Sequence, residues 1–311
     1  MASAETPARA AVAAKVTPPL FADAKRRPVA APDFGGVSIA DTHAHLDMLD
    51  DPARALANAT HAGVGFVATV ADPTESAQRT YADLEGWIAA ADALLAAESA
   101  DRPVVMVAPR VRIILGVHPH NAKAFDLDIE QSMRVLASDP RTAAIGEIGL
   151  DYHYDHSPRD VQRAVFEQQL RLAHEFDLPV VIHLREAHDD GERVLRRVGV
   201  PAAGCILHCY NLGPALLGRF LDLGCTVSFA GPVTFKKAED VREAAALVPA
   251  GRILTETDCP FMAPEPFRGR TNEPAYTVFT AARIAQTRGE ELPQFAAAAW
   301  KSALALLDRD R

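Results

Sequence analysis

From residue 37 onward, short apolar runs alternate with longer stretches in which apolar positions recur every three or four residues. The runs lie at Val37–Ala40, Val64–Val70, Val111–Val117, Ala143–Ile145, Pro179–Ile182, Gly204–Leu207, Cys225–Phe229 and Arg252–Leu254. Most are β-branched or continuously apolar, as expected of parallel strands covered by helices. Between them, "RDVQRAVFEQQLRLAHEFD" places Val161, Val165, Leu172 and Phe176 at helical spacing behind Ser157-Pro158. Asp72-Pro73 similarly predicts a capped helix start before a long Ala/Leu segment. Eight strands alternating with helices over about 270 residues predict an α/β fold, a (β/α)8 TIM-type barrel. A doubly wound open sheet is the alternative, but no Gly-x-Gly-x-x-Gly follows the first run.

Two segments fall outside the alternation. Residues 1–36 are rich in Ala and Pro, lack periodicity and read as a flexible tail, which leaves 37–311 as a single barrel domain. Arg26-Arg27 has no sustained apolar run behind it, so it does not read as a twin-arginine signal. Residues 84–110 lengthen one connection with an Ala-rich helix and the apolar "DRPVVMVAP", which reads as an insertion on the outside of the barrel. The apolar piece is also compatible with an added strand or a contact surface.

Composition narrows the function classes. The 311 residues are 49% hydrophobic and 23% charged, an ordinary soluble balance. A net charge of -9 gives no global field that draws the chain onto nucleic acid or anionic membrane. An anionic substrate therefore needs local cations or bound metal. No run of about 18 apolar residues is present to span a membrane. Cys205, Cys209, Cys225 and Cys259 form no disulfide framework and read as free thiols in a reducing cytoplasm.

The chemistry gathers at strand ends. His43 and His45 follow the first run, His118 and His120 the third, Glu147 the fourth, His183 the fifth, His208 the sixth and Asp258 the eighth. Each alone is weak, since chance supplies about 0.4 His-x-His pairs in a chain with this histidine content. A closed barrel makes the ends converge, and residues i and i+2 of an extended segment point to one side. Imidazoles with carboxylates suit Zn, Mn, Fe or Co better than Mg. Four histidines with Glu147 and Asp258 exceed one tetrahedral site and divide between two metals with a bridging carboxylate, the arrangement of a hydrolase.

The stretches "DTHAHLD", "GVHPH", "IGEIGLDYH", "VIHLREA", "LHCY", "VSFAGPVTFK", "ILTETDCP" and "RGRTNEPAY" together resemble the TatD-type metal-dependent deoxyribonucleases, a branch of the amidohydrolase-like barrels. The resemblance implies that His43 and His45 bind one metal with Asp258, that Glu147 bridges, and that His183 and His208 hold the second. It implies His118 at the barrel mouth near the scissile phosphate, and Asp258 and Glu147 as catalytic groups. It further implies Mg²⁺-dependent cleavage of DNA, often as a 3′–5′ exonuclease in repair or degradation. Single-stranded DNA or DNA ends would be the partner, with no membrane and no obligate protein partner. Arg185, Lys236, Arg268 and Arg270 are the phosphate-binding cations expected in loops after strands, and Tyr152, Tyr154 and Tyr210 the base-stacking rings. Two rival functions are another amidohydrolase-type reaction on a small ester, amide or phosphoester, and an inactive metal-containing binding protein. "CYNLGP" departs from the family's short aromatic-Ser-Gly turn, and Cys259 stands where a small residue such as Ser is common.

Overall fold

A computed structural model describes residues 19–99 and 105–309. All eight expected strands form, in the order β1 (Ile39–Ala44), β2 (Val64–Ala71), β3 (Arg110–Leu115), β4 (Thr142–Asp151), β5 (Val180–Arg185), β6 (Cys205–Leu207), β7 (Thr226–Phe229) and β8 (Ile253–Thr255). Each pairs in parallel with the next, so strand order follows chain order around the sheet. The barrel closes where the ends of β1 and β8 meet. There Asp258 N donates to His43 O at 2.9 Å and His45 N donates to Cys259 O at 2.8 Å. Thr255 Oγ1 adds a bond to Ala40 O at 3.1 Å.

The continuously apolar strands are explained by burial on both faces. Phe66, Ala68, Ile114, Ala144, Val181, Ile206 and Leu254 fill the interior, while Val67, Ile113, Ile145, Ile182 and Val227 pack outward in the larger core. Inward and outward sets alternate with the period of two that a pleated strand imposes. The helices that cover the outside are α1 (Pro52–His61), α2 (Ala77–Glu98), α3 (Leu127–Ala137), α4 (Arg159–Glu175), α5 (His188–Val198), α6 (Pro214–Asp222), α7 (Glu239–Leu247), α8 (Thr277–Arg288) and α9 (Leu292–Leu307). Leu307 of α9 sits beside Thr142, Ala143 and Pro179 at the N-terminal ends of the strands, which closes that end with apolar side chains. Polar chemistry is left to the opposite mouth.

Three sequence expectations change. The tail reading fails for residues 19–36, where Phe21 is buried against Phe267 and Tyr276, both at 5.9 Å, and Phe279 at 4.9 Å. Ala22 bridges Pro28 in antiparallel pairing, and the Asp23 carboxylate accepts from Lys25 N and Arg27 N at 2.9 Å. One aromatic anchor in an Ala/Pro-rich stretch makes no periodic signal. Residues 1–18 of the expected tail lie outside the described residues. In the insertion, α2 extends to Glu98, and the described part of the apolar piece, 105–109, forms no strand. Residues 100–104 lie outside the described set. Finally, Asp72 does not cap α2, which begins at Ala77 behind Ser76. Its carboxylate accepts from Thr74 N and Thr74 Oγ1 at 2.8 and 2.6 Å, and from His118 N at 3.0 Å.

Replacing Phe21 with Ala removes the ring that ties residues 19–36 to the barrel. The expected cost is about 3–5 kcal/mol, the usual range for a buried Phe. Urea unfolding of the full chain measures it, and a change under about 0.5 kcal/mol, typical of a surface position, would mean that the segment carries no stability.

Candidate metal centre

β1 delivers the first pair of imidazoles. His43 lies inside the strand rather than beyond its end, fully buried, and His45 follows it on the same side. The barrel seam brings Asp258 to them, with Oδ1 at 3.5 Å from His45 Nε2 and 4.0 Å from His43 Nε2. Asp258 takes the left-handed φ of 55°, a conformation that Asp tolerates better than most residues. Asp41, one turn of the pleat before His43, locks this geometry. Its carboxylate accepts from Thr257 N at 2.8 Å and Thr257 Oγ1 at 2.6 Å.

Glu147 projects from β4 into the middle of the mouth and offers its two oxygens to different neighbours. Oε2 faces His43 Nε2 at 3.2 Å and His45 Nε2 at 3.9 Å. Oε1 faces His183 Nδ1 at 2.7 Å, His208 Nε2 at 3.4 Å and His118 Nε2 at 3.5 Å. Gly149 permits the β4 path, because with φ at 143° a Cβ there would meet His183 O at 2.0 Å.

Behind this ring stand carboxylates that orient the histidines. His183 Nε2 lies 3.3 Å from Asp151 Oδ2, which also holds His120 Nε2 at 2.9 Å. His208 Nδ1 lies 2.8 Å from Glu256 Oε1, an ion-pair distance outside hydrogen-bond geometry, and the same oxygen accepts from Cys209 N at 2.7 Å. His183 and His208 thus each have one nitrogen beside an outer carboxylate and the other turned to Glu147, the usual arrangement around a metal-ligating imidazole. Two buried glutamines of α4 fix the strand ends. Gln169 bonds both backbone groups of Val117 (2.7 and 3.0 Å), and Gln162 bonds Asp151 N and O (2.8 and 3.1 Å).

This donor set fits divalent cations. Three ring nitrogens crowd a single carboxylate oxygen, and His43 stacks on His208 with ring centres 3.6 Å apart. One oxygen cannot satisfy three ring nitrogens, whereas a cation there would take the lone pairs of His183 and His208. Within the described residues, ligand atoms cluster tightly in the groups His43–His45–Asp258, His43–Glu147–His208, His118–Glu147–His183 and His208–Cys209–Asp258. The last group adds Cys209, which the sequence reading did not place in the centre.

Sequence reasoning also missed Asp151, Glu256 and Asp41, and it gave His120 and Asp72 no orienting role, because each acts through a partner distant in the chain. Other expected contacts do not face the mouth. Tyr152 turns toward α5, donates to Asp190 Oδ2 at 2.5 Å and carries the Arg159 guanidinium on its ring, so its substrate role is corrected. Arg268 is drawn away by stacking on Phe235 and is absent from the cleft lining. Arg270 donates to Ala22 O, Lys236 is exposed outside the lining, and Tyr210 is buried with its hydroxyl on Gly213 O. Arg185, His118 and Tyr154 do line the cleft, whose volume is about 710 Å³. Arg185 stacks on Tyr154 at 4.6 Å.

Electrostatics follow from this crowding. Burial alone would raise the Glu147 carboxyl, but the His208, His118 and His43 rings overcome it and hold it well below the ordinary range. Burial works against charging His208 and His183, yet Glu256 and Glu147 push His208 up to about 10, and Asp151 and Glu147 push His183 up to about 9. Metal-free, these two rings are protonated at neutral pH. A cation must expel those protons, so metal affinity should rise with pH by about tenfold per unit for each proton displaced, until pH passes the raised values. Calorimetric titration with Mn²⁺ in buffers of contrasting ionisation enthalpy measures the release. Affinity independent of pH between neutrality and about 9 would contradict this picture of the centre.

The known proteins that this chain resembles share the frame. The sequence profile of the family described as TatD related DNase matches residues 40–308. The Escherichia coli (strain K12) protein called uncharacterized metal-dependent hydrolase YcfH is 35% identical over 267 residues, covering 82% of this chain and 91% of its own. The 3'-5' ssDNA/RNA exonuclease TatD of Klebsiella pneumoniae (strain 342) is 36% identical over 181 residues, 57% of this chain and 69% of its own. The crystal structure of YJJV, a TatD homolog from E. coli K12, superposes with a TM-score of 0.73 at 27% identity, covering 88% of this chain and 98% of that one. With the profile spanning the barrel from β1 to α9, and with carboxylates and imidazoles converging at its mouth, this chain belongs to the TatD-related family of metal-dependent hydrolases.

Proposed function

We propose that the chain is a nuclease that hydrolyses phosphodiester bonds at single-stranded DNA ends, in the 3′–5′ direction, in DNA repair or degradation. The observation that carries this reading is Glu147, which turns one oxygen toward His43 and His45 and the other toward His183 and His208. That division suits two divalent ions with Glu147 between them: His43, His45 and Asp258 for one, His183 and His208 for the other. The relatives named 3'-5' ssDNA/RNA exonuclease supply the substrate class. Mg²⁺ is the metal that the family resemblance implies, while four imidazoles favour Mn²⁺ or Zn²⁺. Four free thiols suit a cytoplasmic enzyme, and among the described residues no helix is long and apolar enough to cross a membrane.

When bound, the ions supply polarisation of the phosphoryl oxygens and acidify a water. The chain's own groups do the rest. Asp258 is kept anionic by His45, His208 and His43 against the opposing effect of burial, so it is ready to orient the attacking water and take its proton. His118 accepts from His120 N at 3.2 Å through Nδ1, which leaves its neutral ring with the proton on Nε2. Burial pushes this imidazole down to about 4, so it is uncharged at neutral pH. A protonated Nε2 has no lone pair for a metal, and it donates a hydrogen bond to a phosphoryl oxygen instead. Arg185 supplies the cleft's cation for a neighbouring phosphate.

The test is the full-length protein, stripped and reloaded with Mg²⁺, Mn²⁺ or Zn²⁺, on end-labelled DNA and RNA single strands. Stepwise release of nucleotides is expected, and Glu147→Ala should reduce it to background with the fold intact. Hydrolysis of small esters without any nucleotide release would instead favour the broader amidohydrolase chemistry. His118→Ala should keep the full metal content by mass spectrometry while kcat falls about a hundred- to a thousandfold. Loss of an ion from that variant would make His118 a ligand.

A further inference from the structure

Large apolar side chains exposed to solvent are few, and they are not scattered. Among the described residues they are Met48, Val105, Val107, Leu127, Val135, Tyr154, Leu247, Phe261 and Met262. Four of these, Met48, Tyr154, Phe261 and Met262, line the metal-centre cleft. Tyr154 is already engaged: His156 stacks parallel to it at 5.5 Å, and the Arg185 guanidinium lies 4.6 Å from its ring centre. Phe261 has a single aromatic neighbour, His45, which meets it edge-on at 6.1 Å. Phe261 remains 51% exposed and Met48 47% exposed on the side of the cleft that carries His45 and Asp258.

The loop that presents Phe261 is held firmly, so its exposure is not a by-product of slack chain. Phe261 N donates to Asp258 O at 2.9 Å, and Asn272 Nδ2 donates to both Phe261 O and Thr257 O, at 2.6 and 2.8 Å. On the far side Gly231 packs so closely that a Cβ there would meet Met262 O at 1.8 Å. Met262 itself holds the left-handed φ of 55°. A fixed, half-exposed ring that shares the cleft lining with two thioethers, all bordering one polar centre, is a binding feature rather than core.

We infer that Phe261, with Met48 and Met262 lining the same cleft, is a stacking wall for the nucleobase attached to the phosphate held at the metal centre. The inference rests on the nuclease reading and names how that site takes its substrate. The page of a base matches a flat ring and polarisable sulfur, and such contacts are indifferent to base identity. The charge balance supports this occupant. Arg185 is the arginine in the cleft lining, and the lining's lysine, Lys123, already donates to His156 O at 3.1 Å. With so few cations beside the centre, apolar contact has to supply a larger share of the grip on a nucleotide.

The test compares deoxyadenosine monophosphate with deoxyribose phosphate, which carries the same anion without a base. Equilibrium binding of each to the Mn²⁺-loaded full-length protein is measured beside turnover of single strands ending in a normal or an abasic nucleotide. The wild type should favour the base-bearing ligand by about five- to a hundredfold, the range for one stacked base. Phe261→Ala should collapse that preference toward unity, chiefly through Kd and KM rather than kcat, and Phe261→Trp should restore it. Equal binding of the two ligands by the wild type, or an unaltered preference in both Phe261→Ala and the Met48→Ala/Met262→Ala double variant, overturns the wall. A base preference in binding with no turnover of either strand leaves the wall standing and rejects the nuclease reading instead. Half exposure of Phe261 makes its truncation compatible with folding, which the retained metal stoichiometry of the variant would verify.

Discussion

The centre exists because the sheet closes. β1 carries His43 and ends just before His45, and Asp258 follows β8, 213 positions away from His45 in the chain. They meet only across the seam, where two backbone hydrogen bonds join the strand ends and the Asp41 carboxylate bonds both the amide and the hydroxyl of Thr257. A side-chain carboxylate thus substitutes for ladder bonds at the place where the ladder is thinnest. This gives Asp41 a role as fundamental as that of the ligands, although it touches no substrate. A local shift at the seam would separate Asp258 from the two histidines before it disturbed the apolar interior.

Closure also dictates the electrostatic problem that a cation solves. Burial disfavours every charge at the mouth, yet Glu147 remains ionised because several imidazoles surround it. Paired buried charges are rarely a net source of stability, and their retention points to function. The outer carboxylates Asp151 and Glu256 sharpen this point. They fix the ring orientations of His183 and His208 and make those nitrogens more basic, which stabilises protons in the metal-free protein and strengthens ligation once the protons leave. His118 is set apart in two ways: burial keeps its ring neutral, and a backbone N–H rather than a carboxylate meets its Nδ1, which leaves the proton on Nε2.

The sequence made the strands legible because burial on both faces writes continuous apolar runs, and it made the ring at the mouth legible because its residues follow those runs. His43, His45, His118, His120, Glu147, His183, His208 and Asp258 were accessible by that logic. Asp151, Glu256 and the α4 glutamines were not, since an orienting contact depends on which strands become neighbours and leaves no periodic trace. Tyr152 and Tyr154 show the limit most sharply. They stand two positions apart in one turn, and only the packing of α4 and α5 sends Tyr152 to Asp190 while Tyr154 reaches the cleft. Arg270 looked like a phosphate ligand because the partner that occupies it, the backbone of Ala22, lies in a stretch without pattern.

An acidic chain that engages a polyanion must concentrate its attraction. With a net charge of -9, long-range attraction works against association, and contacts with distant phosphates would add little. On the proposed reading what remains is short-ranged: cations that the imidazole and carboxylate ring would hold, one guanidinium stacked on Tyr154, and apolar surface elsewhere in the cleft. As the site of a nuclease, it would grip the terminal nucleotide more than the rest of the strand. It therefore suits release of one unit at a time from an end, and it is poorly suited to wrapping a duplex. On the proposed reading, the acidity of the fold and the apolar rim of its cleft act together, and selectivity for a chain end would come from contacts confined to the cleft.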